Sequence, residues 1–234
     1  MKLEFMHLQG FTKDDPINPV GALPVGSLEQ HGPHLPLGTD SIIAEEIARE
    51  VSRIEGLTLL PTVHYGCSFE HGSLPHISVK DTHFMDFIED IISSTPRIGM
   101  KGVVIINGHG GNSHLLTAVA RRVNFTVGRP RVIVVNLPSA PIFKEYGDLH
   151  AGNVETSIMM YLRPDLIRLD KIPKVTKFSS FTFNILTSEM GGDDGVVSSC
   201  EMKPDTNLGK RAFQEMVELA LGAVRDLKTI INSS

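Results

Sequence analysis

Three short segments combine histidines, carboxylates and glycines in ways that could hold a metal ion or move a proton. The first is Gly26-Ser27-Leu28-Glu29-Gln30-His31-Gly32, followed by Asp40. In extended backbone Glu29 and His31 project to the same side, because side chains alternate with period two. Asp40 opens the next apolar-periodic stretch, so the chain can fold back and bring its carboxylate to the same spot. Glu, His and Asp together give the oxygen and imidazole donors that zinc, manganese or iron(II) accept. A polar loop with a helix-capping Asp would use the same residue types.

The second segment is Asn107-Gly108-His109-Gly110-Gly111-Asn112. Three glycines around one histidine imply a backbone that passes very close to something or adopts positive φ. A phosphate-cradling loop is one use of such glycines, but the Lys-Ser/Thr of a P-loop is missing. A metal-ligating His109 on a tight turn explains the composition better. The third segment runs Asp148-Leu149-His150-Ala151-Gly152-Asn153-Val154-Glu155-Thr156-Ser157. Here His150 is placed on a loop, and Glu155 near a helix start, where the helix dipole alone would favour a carboxylate.

The elements that must position these groups follow from periodicity. Apolar strands are expected at Val20–Val25, Leu57–Val63, Gly102–Ile106 and Arg131–Leu137. Helical spacing covers Asp40–Ile54, with Thr39 or Asp40 as its N-cap, then Thr82–Ile92, His114–Val127, Val154–Leu162 and Asp205–Ile230. Phe213, Met216, Val217, Ala220 and Val224 form the core stripe of the last helix. The path of residues 172–197 does not follow from any pattern. Strands alternating with helices imply right-handed crossovers and an α/β fold, a mostly parallel sheet sandwiched by helices. Ligands in such folds sit at the carboxyl ends of the strands, where all three segments fall.

At 234 residues the chain suits one domain, spanning 1–234. Its 41% hydrophobic and 21% charged content is ordinary for a globular protein. A net charge of −5 and scattered Lys and Arg give no footprint for nucleic acid. Two distant cysteines, Cys67 and Cys200, suit a reducing cytoplasm. No apolar run approaches the ~20 residues of a membrane helix, so a soluble, cytoplasmic protein acting on a small molecule is expected, with neither nucleic acid nor membrane as partner.

These residues resemble a known family. Leu23-Pro24-Val25-Gly26-Ser27-Leu28-Glu29-Gln30-His31-Gly32 with Asp40, then Asn107-Gly108-His109-Gly110-Gly111-Asn112, then His150-Ala151-Gly152 with Glu155-Thr156-Ser157, resemble in family order the creatininase superfamily of metal-dependent amidohydrolases. The likeness extends from about residue 18 to the last helix. It implies an α/β/α sandwich, a homo-oligomer of hexameric size, and two divalent ions (Zn, Mn or Fe) per subunit. It implies Glu29, His31, Asp40 and His109 as metal ligands with Asp40 bridging, His150 as the catalytic histidine, and Glu155 as the acidic residue five positions on.

The sequence also departs from creatininase itself. It contains no tryptophan. Where creatininase carries Tyr and a metal-binding Glu after the loop histidine, Gly110 and Gly111 stand here, so one site must be completed differently, for which Glu155 is the candidate. The glycine version looks more like the formamide deformylases of archaeal flavin and deazaflavin biosynthesis, acting on a formylamino-pyrimidine ribonucleotide. The expected reaction is amide hydrolysis by a metal-bridging hydroxide, with His150 passing a proton to the leaving nitrogen. Creatinine hydrolysis and cleavage of a small peptide are the enzymatic alternatives, and a non-catalytic metal- or nucleotide-binding subunit is the rival of another class. Ser68, Glu70 and His71, in the loop after the second strand, and Gly110, Gly111 and Asn112 are candidates for substrate contacts. Cys67 lacks any feature that would activate a thiolate. His34, His64, His76, His83 and His114 are read as structural or surface residues.

Overall fold

A computed structural model describes residues 2, 17–126, 130–174 and 194–233. In chain order its elements are β1 (Val20–Val25), β2 (Leu28–Glu29), α1 (Thr39–Glu55), β3 (Thr58–Leu59), β4 (His76–Ile77), α2 (Asp81–Ser94) and β5 (Gly102–Asn107). There follow α3 (Ser113–Asn124), β6 (Arg131–Asn136), α4 (Pro141–Glu145), β7 (Asp148–His150), α5 (Asn153–Leu162), β8 (Val197–Ser198) and α6 (Thr206–Asn232). Four strands pair in the order β3-β1-β5-β6, every pair parallel.

Alternation along the central strands decides the layers. In β1, Val20 and Ala22 pack with α1, α5 and α6, whereas Leu23 and Val25 turn to the other face. In β5, Val104 and Ile106 join the first layer, and Val103 and Ile105 pack on Phe84, Ile88, Leu116 and Val119 of α2 and α3. Both faces are therefore covered, which is why these strands are apolar throughout. The result is the three-layer α/β/α sandwich that the periodicity predicts. Met216, Val217, Ala220 and Val224 of α6 are buried as expected, with Phe213 at the layer's edge.

Three local expectations need correction. The stretch from Leu57 to Val63 is not one strand: only Thr58 and Leu59 join the ladder, and Val63 makes a separate bridge to Val25. Pro61 lies between them and has no N–H to donate. Neither Thr39 nor Asp40 caps α1; Gly38 is the N-cap and no side chain caps it. Asp40 lies inside the first turn, its carboxylate drawn to two histidines instead. His150 is not on a loop but ends β7, a three-residue strand antiparallel to β8. Elements this short leave no periodicity to read, and the β2–β4 pair escapes notice for the same reason. Most of the 172–197 stretch lies outside the described residues; its visible end forms β8 and the turn before it.

Because the sheet is parallel, β1 and β5 deliver their carboxyl ends to one edge, and α1 begins there. The approach is tight. A Cβ at Gly108 would stand 2.4 Å from the Asp40 carbonyl oxygen, so any larger residue would push the start of α1 away from the end of β5.

Candidate metal centre

Glu29 ends β2, Asp40 opens α1, His109 follows β5, and His150 and Glu155 flank the turn between β7 and α5. With His31 and His71 these side chains converge on one spot and are almost wholly buried. Asp40 stands at the middle. Its Oδ1 lies 2.9 Å from His31 Nε2, and its Oδ2 lies 3.1 Å from His109 Nδ1. His109 Nδ1 also lies 3.0 Å from Glu29 Oε1. Donor atoms from Glu29, Asp40 and His109 form one compact set, and those from His31, Asp40 and Glu155 form another. Asp40 belongs to both. A third grouping joins Glu29 of the first set and His31 of the second to His150.

Backbone carbonyls decide which nitrogen of each imidazole faces this spot. His31 Nδ1–H donates to the Glu29 carbonyl, 3.0 Å away, and leaves Nε2 toward Asp40. His109 Nε2–H donates to the Cys67 carbonyl at 2.9 Å, leaving Nδ1 toward the two carboxylates. His150 Nε2–H donates to the Gln30 carbonyl at 2.7 Å, leaving Nδ1 facing Glu29 Oε1 at 3.9 Å. Metal-ligating histidines are commonly oriented in this way, through the nitrogen that the ion does not use.

The turn carrying His150 and Glu155 has its own device. Ala151 adopts φ 53°, a left-handed conformation that costs a non-glycine residue about 1–2 kcal/mol. It aims the Ala151 N–H at Glu155 Oε2. Asp148 accepts hydrogen bonds from the Val154 N–H and the Ser198 hydroxyl, tying the turn to β8.

The electrostatics match this crowding. Burial opposes ionisation of Glu29, but the His109 and His71 imidazoles beside it hold its carboxyl well below the usual value. Burial likewise opposes a charge on His31, yet Asp40, Glu155 and Glu29 raise it to about 10. His150 moves the opposite way: burial, then the neighbouring His31 and His71, push it well below 6.5, so it is neutral at pH 7. Burial raises Glu155 to about 7, against the pull of His31.

The donor set passes a direct test for a cation. Glu29 Oε1 and Oε2 and Asp40 Oδ2 are buried and accept no hydrogen bond of normal geometry. Carboxylate oxygens left so are expensive unless a cation neutralises them. Oxygen and imidazole donors in these proportions suit Zn, Mn or Fe(II).

Other sequence candidates take different places. His71 is fully buried, in contact with Glu29 rather than facing open space, and Glu70 approaches His109. Asn112 staples two loops, its amide donating to the Gly26 carbonyl and its oxygen accepting from the Cys67 N–H. Ser68 is buried, and its N–H donates to Ser78. Gly110 and Gly111 are half-buried beside His109. Burial raises the Cys67 thiol to about 12, helped by Asp81, whose carboxylate it contacts at 3.1 Å. That excludes a thiolate nucleophile at neutral pH. His34 is buried with its Nε2 2.8 Å from the Thr156 hydroxyl, a structural role. Gln30 was not singled out by the sequence, yet it contacts both His71 and Gly195; its place between Glu29 and His31 was the available signal. Among the described residues, no helix is long and apolar enough to cross a membrane.

Comparison with known proteins agrees with this architecture. The chain is 30% identical over 210 residues to the mycofactocin precursor peptide peptidase of Mycolicibacterium smegmatis, covering 85% of this chain and 81% of the relative. It is 28% identical over 248 residues to the 2-amino-5-formylamino-6-ribosylaminopyrimidin-4(3H)-one 5'-monophosphate deformylase of Methanothermus fervidus, covering 98% and 92%. A solved mutant creatininase of Zn-Zn type superposes with a TM-score of 0.78 at 22% identity, over 96% of this chain and 97% of the other, a likeness of fold. Residues 5–224 match the family described as "Creatininase: Creatinine amidohydrolase". The chain belongs to the creatininase family of amidohydrolases.

Proposed function

We propose that this chain is a metal-dependent amidohydrolase that binds two divalent cations and cleaves a non-peptide C–N amide bond. The carrying observation is Asp40, which turns one oxygen to His31 and the other to His109, so that two three-residue sets share a carboxylate. Glu29, Asp40 and His109 would hold one ion; His31, Asp40 and Glu155 would hold the other. Such ions supply an acidified water and a polarised carbonyl.

The chain's own groups do the rest. His150 is neutral at pH 7, and the Gln30 carbonyl fixes its orientation, with Nδ1 toward the cluster. It takes the proton of the attacking water and returns it to the departing nitrogen, the usual work of a positioned imidazole. A nucleotide-gripping subunit fits less well: the glycine loop turns His109 into a nest of carboxylates, where a phosphate would meet like charge.

For the substrate we propose the formamide of a formylamino-pyrimidine ribonucleotide, supported by the deformylase relative that matches 98% of this chain. The second reading is cleavage of a small peptide, favoured by the peptidase relative at 30% identity. The test incubates protein loaded with Zn²⁺, Mn²⁺ or Fe²⁺ with such a formamide, with creatinine and with short peptides. Formate release supports the first reading, and new peptide termini support the second. Full activity after complete removal of metal would overturn both.

A further inference from the structure

The Phe69–His71 turn carries two neighbouring residues that the chemistry above does not use, and both reach into the cluster from behind. We infer that Glu70 and His71 form a clamp that positions His109 and Glu29, the two residues of the first set that the second does not share, and so sets the cation affinity of that set. The inference rests on the two-cation reading above.

His71 comes first. Its side chain is wholly buried, and its Nε2 lies 3.0 Å from Glu29 Oε1. Which nitrogen carries the proton is decided by Gln30. The Gln30 side-chain oxygen accepts from the Gly32 N–H, and its amide nitrogen donates to the Gly195 carbonyl. That fixes the amide's orientation, so the same nitrogen, 2.9 Å from His71 Nδ1, donates to it as well. Nδ1 is then an acceptor, and the ring proton sits on Nε2, against Glu29. His71 therefore turns an N–H toward a ligand, close to Glu29 Oε1 but outside normal hydrogen-bond geometry, rather than a lone pair toward an ion.

Glu70 braces the other residue. Its side chain is 11% exposed, and Oε1 lies 3.1 Å from His109 Nε2, the edge of the ring opposite the cluster. That oxygen is buried and accepts no hydrogen bond of normal geometry. The His109 Nε2–H is donated to the Cys67 carbonyl, and the Glu70 carboxylate beside the same nitrogen adds a charge that raises the basicity of the metal-facing Nδ1. Glycine at residue 111 leaves this space open, and a larger residue would also meet the Cys67 carbonyl oxygen at 2.6 Å. A Cβ there would stand 2.2 Å from Glu70 Oε1 and 2.6 Å from His109 Nε2.

The experiment titrates full-length protein, stripped of metal by a chelator, with Zn²⁺ alone against a competing indicator, and records the visible spectrum of the Co²⁺ form. Wild type should take up two ions. Glu70→Gln and His71→Phe should each bind one ion at wild-type affinity and the other about 10–100-fold more weakly, with an altered Co²⁺ spectrum. His71→Gln keeps an N–H toward Glu29 and should recover part of the loss, which a packing role would not predict. Glu70→Gln is nearly isosteric and keeps the question open to refutation if His71→Phe does not fold. Two ions in wild type with unchanged affinities and spectra in the variants would overturn the clamp alone. A wild type that takes up no ions would overturn the two-cation reading and the clamp with it.

Discussion

The two halves of the cluster are held in different ways. His31 and Glu155 take their bearings from backbone close by in the chain: His31 from the Glu29 carbonyl, Glu155 from the Ala151 N–H. Glu29 and His109 are instead faced by side chains from the Phe69–His71 turn, which reaches them only through the fold. The contrast shows how one shared carboxylate, Asp40, joins a half-site whose side chains are oriented by nearby backbone to one whose side chains are faced by a remote turn.

The largest effect should come from breaking the shared member. Asp40→Asn is expected to lose both cations, and turnover should fall to that of the metal-free protein; elemental analysis and an activity assay check this together. Glu155→Gln should damage only the second set, leaving close to one ion per chain by the same analysis. If it loses both ions, the halves are not separable and the comparison fails. His150→Asn should leave metal content unchanged while kcat falls about 10²–10⁴-fold. A loss of metal in that variant would make His150 a ligand rather than a proton carrier.

The smallest effect concerns the turn that supports Glu155. Burial raises Asp148 to about 6, against hydrogen bonds from Ser198 and Val154 that lower it. Its unfolded value is near 3.9, so between pH 4 and 6 the folded chain binds more protons than the unfolded one. Stability from this group therefore falls as pH rises through that window, by about 1–3 kcal/mol in all. Asp148→Asn should flatten that slope, read from urea unfolding midpoints at pH 4, 5, 6 and 7. An unchanged slope would show that Asp148 does not titrate in that window.

What was legible in the sequence follows a different line, the ligand-type residues rather than the groups that brace them. Glu29, His31 and Asp40 could be grouped because they are close along the chain and bracket a strand end and a helix start. His109 could be added because three glycines around one histidine are hard to explain as an ordinary loop. Glu70 and His71 were visible as a polar pair facing the site, but their partners were not. Nothing local says that His71 faces Glu29, or that Glu70 occupies the space beside Gly111. The glycines at 110 and 111 read as a departure from creatininase; the geometry gives Gly111 a physical reason.

Sequence alone determined the layered α/β architecture, since apolar runs covered on both faces and 3.6-residue stripes leave few other ways to bury a core. It also determined which end of the sheet carries the chemistry, because His109 follows β5 directly and the Glu29 segment lies just beyond β1. Only the tertiary structure decided the short pairs β2–β4 and β7–β8 and the nitrogens that His109 and His150 present. Those depend on distances between segments remote in sequence, and a hydrogen bond to a particular carbonyl leaves no periodic trace in the order of residues.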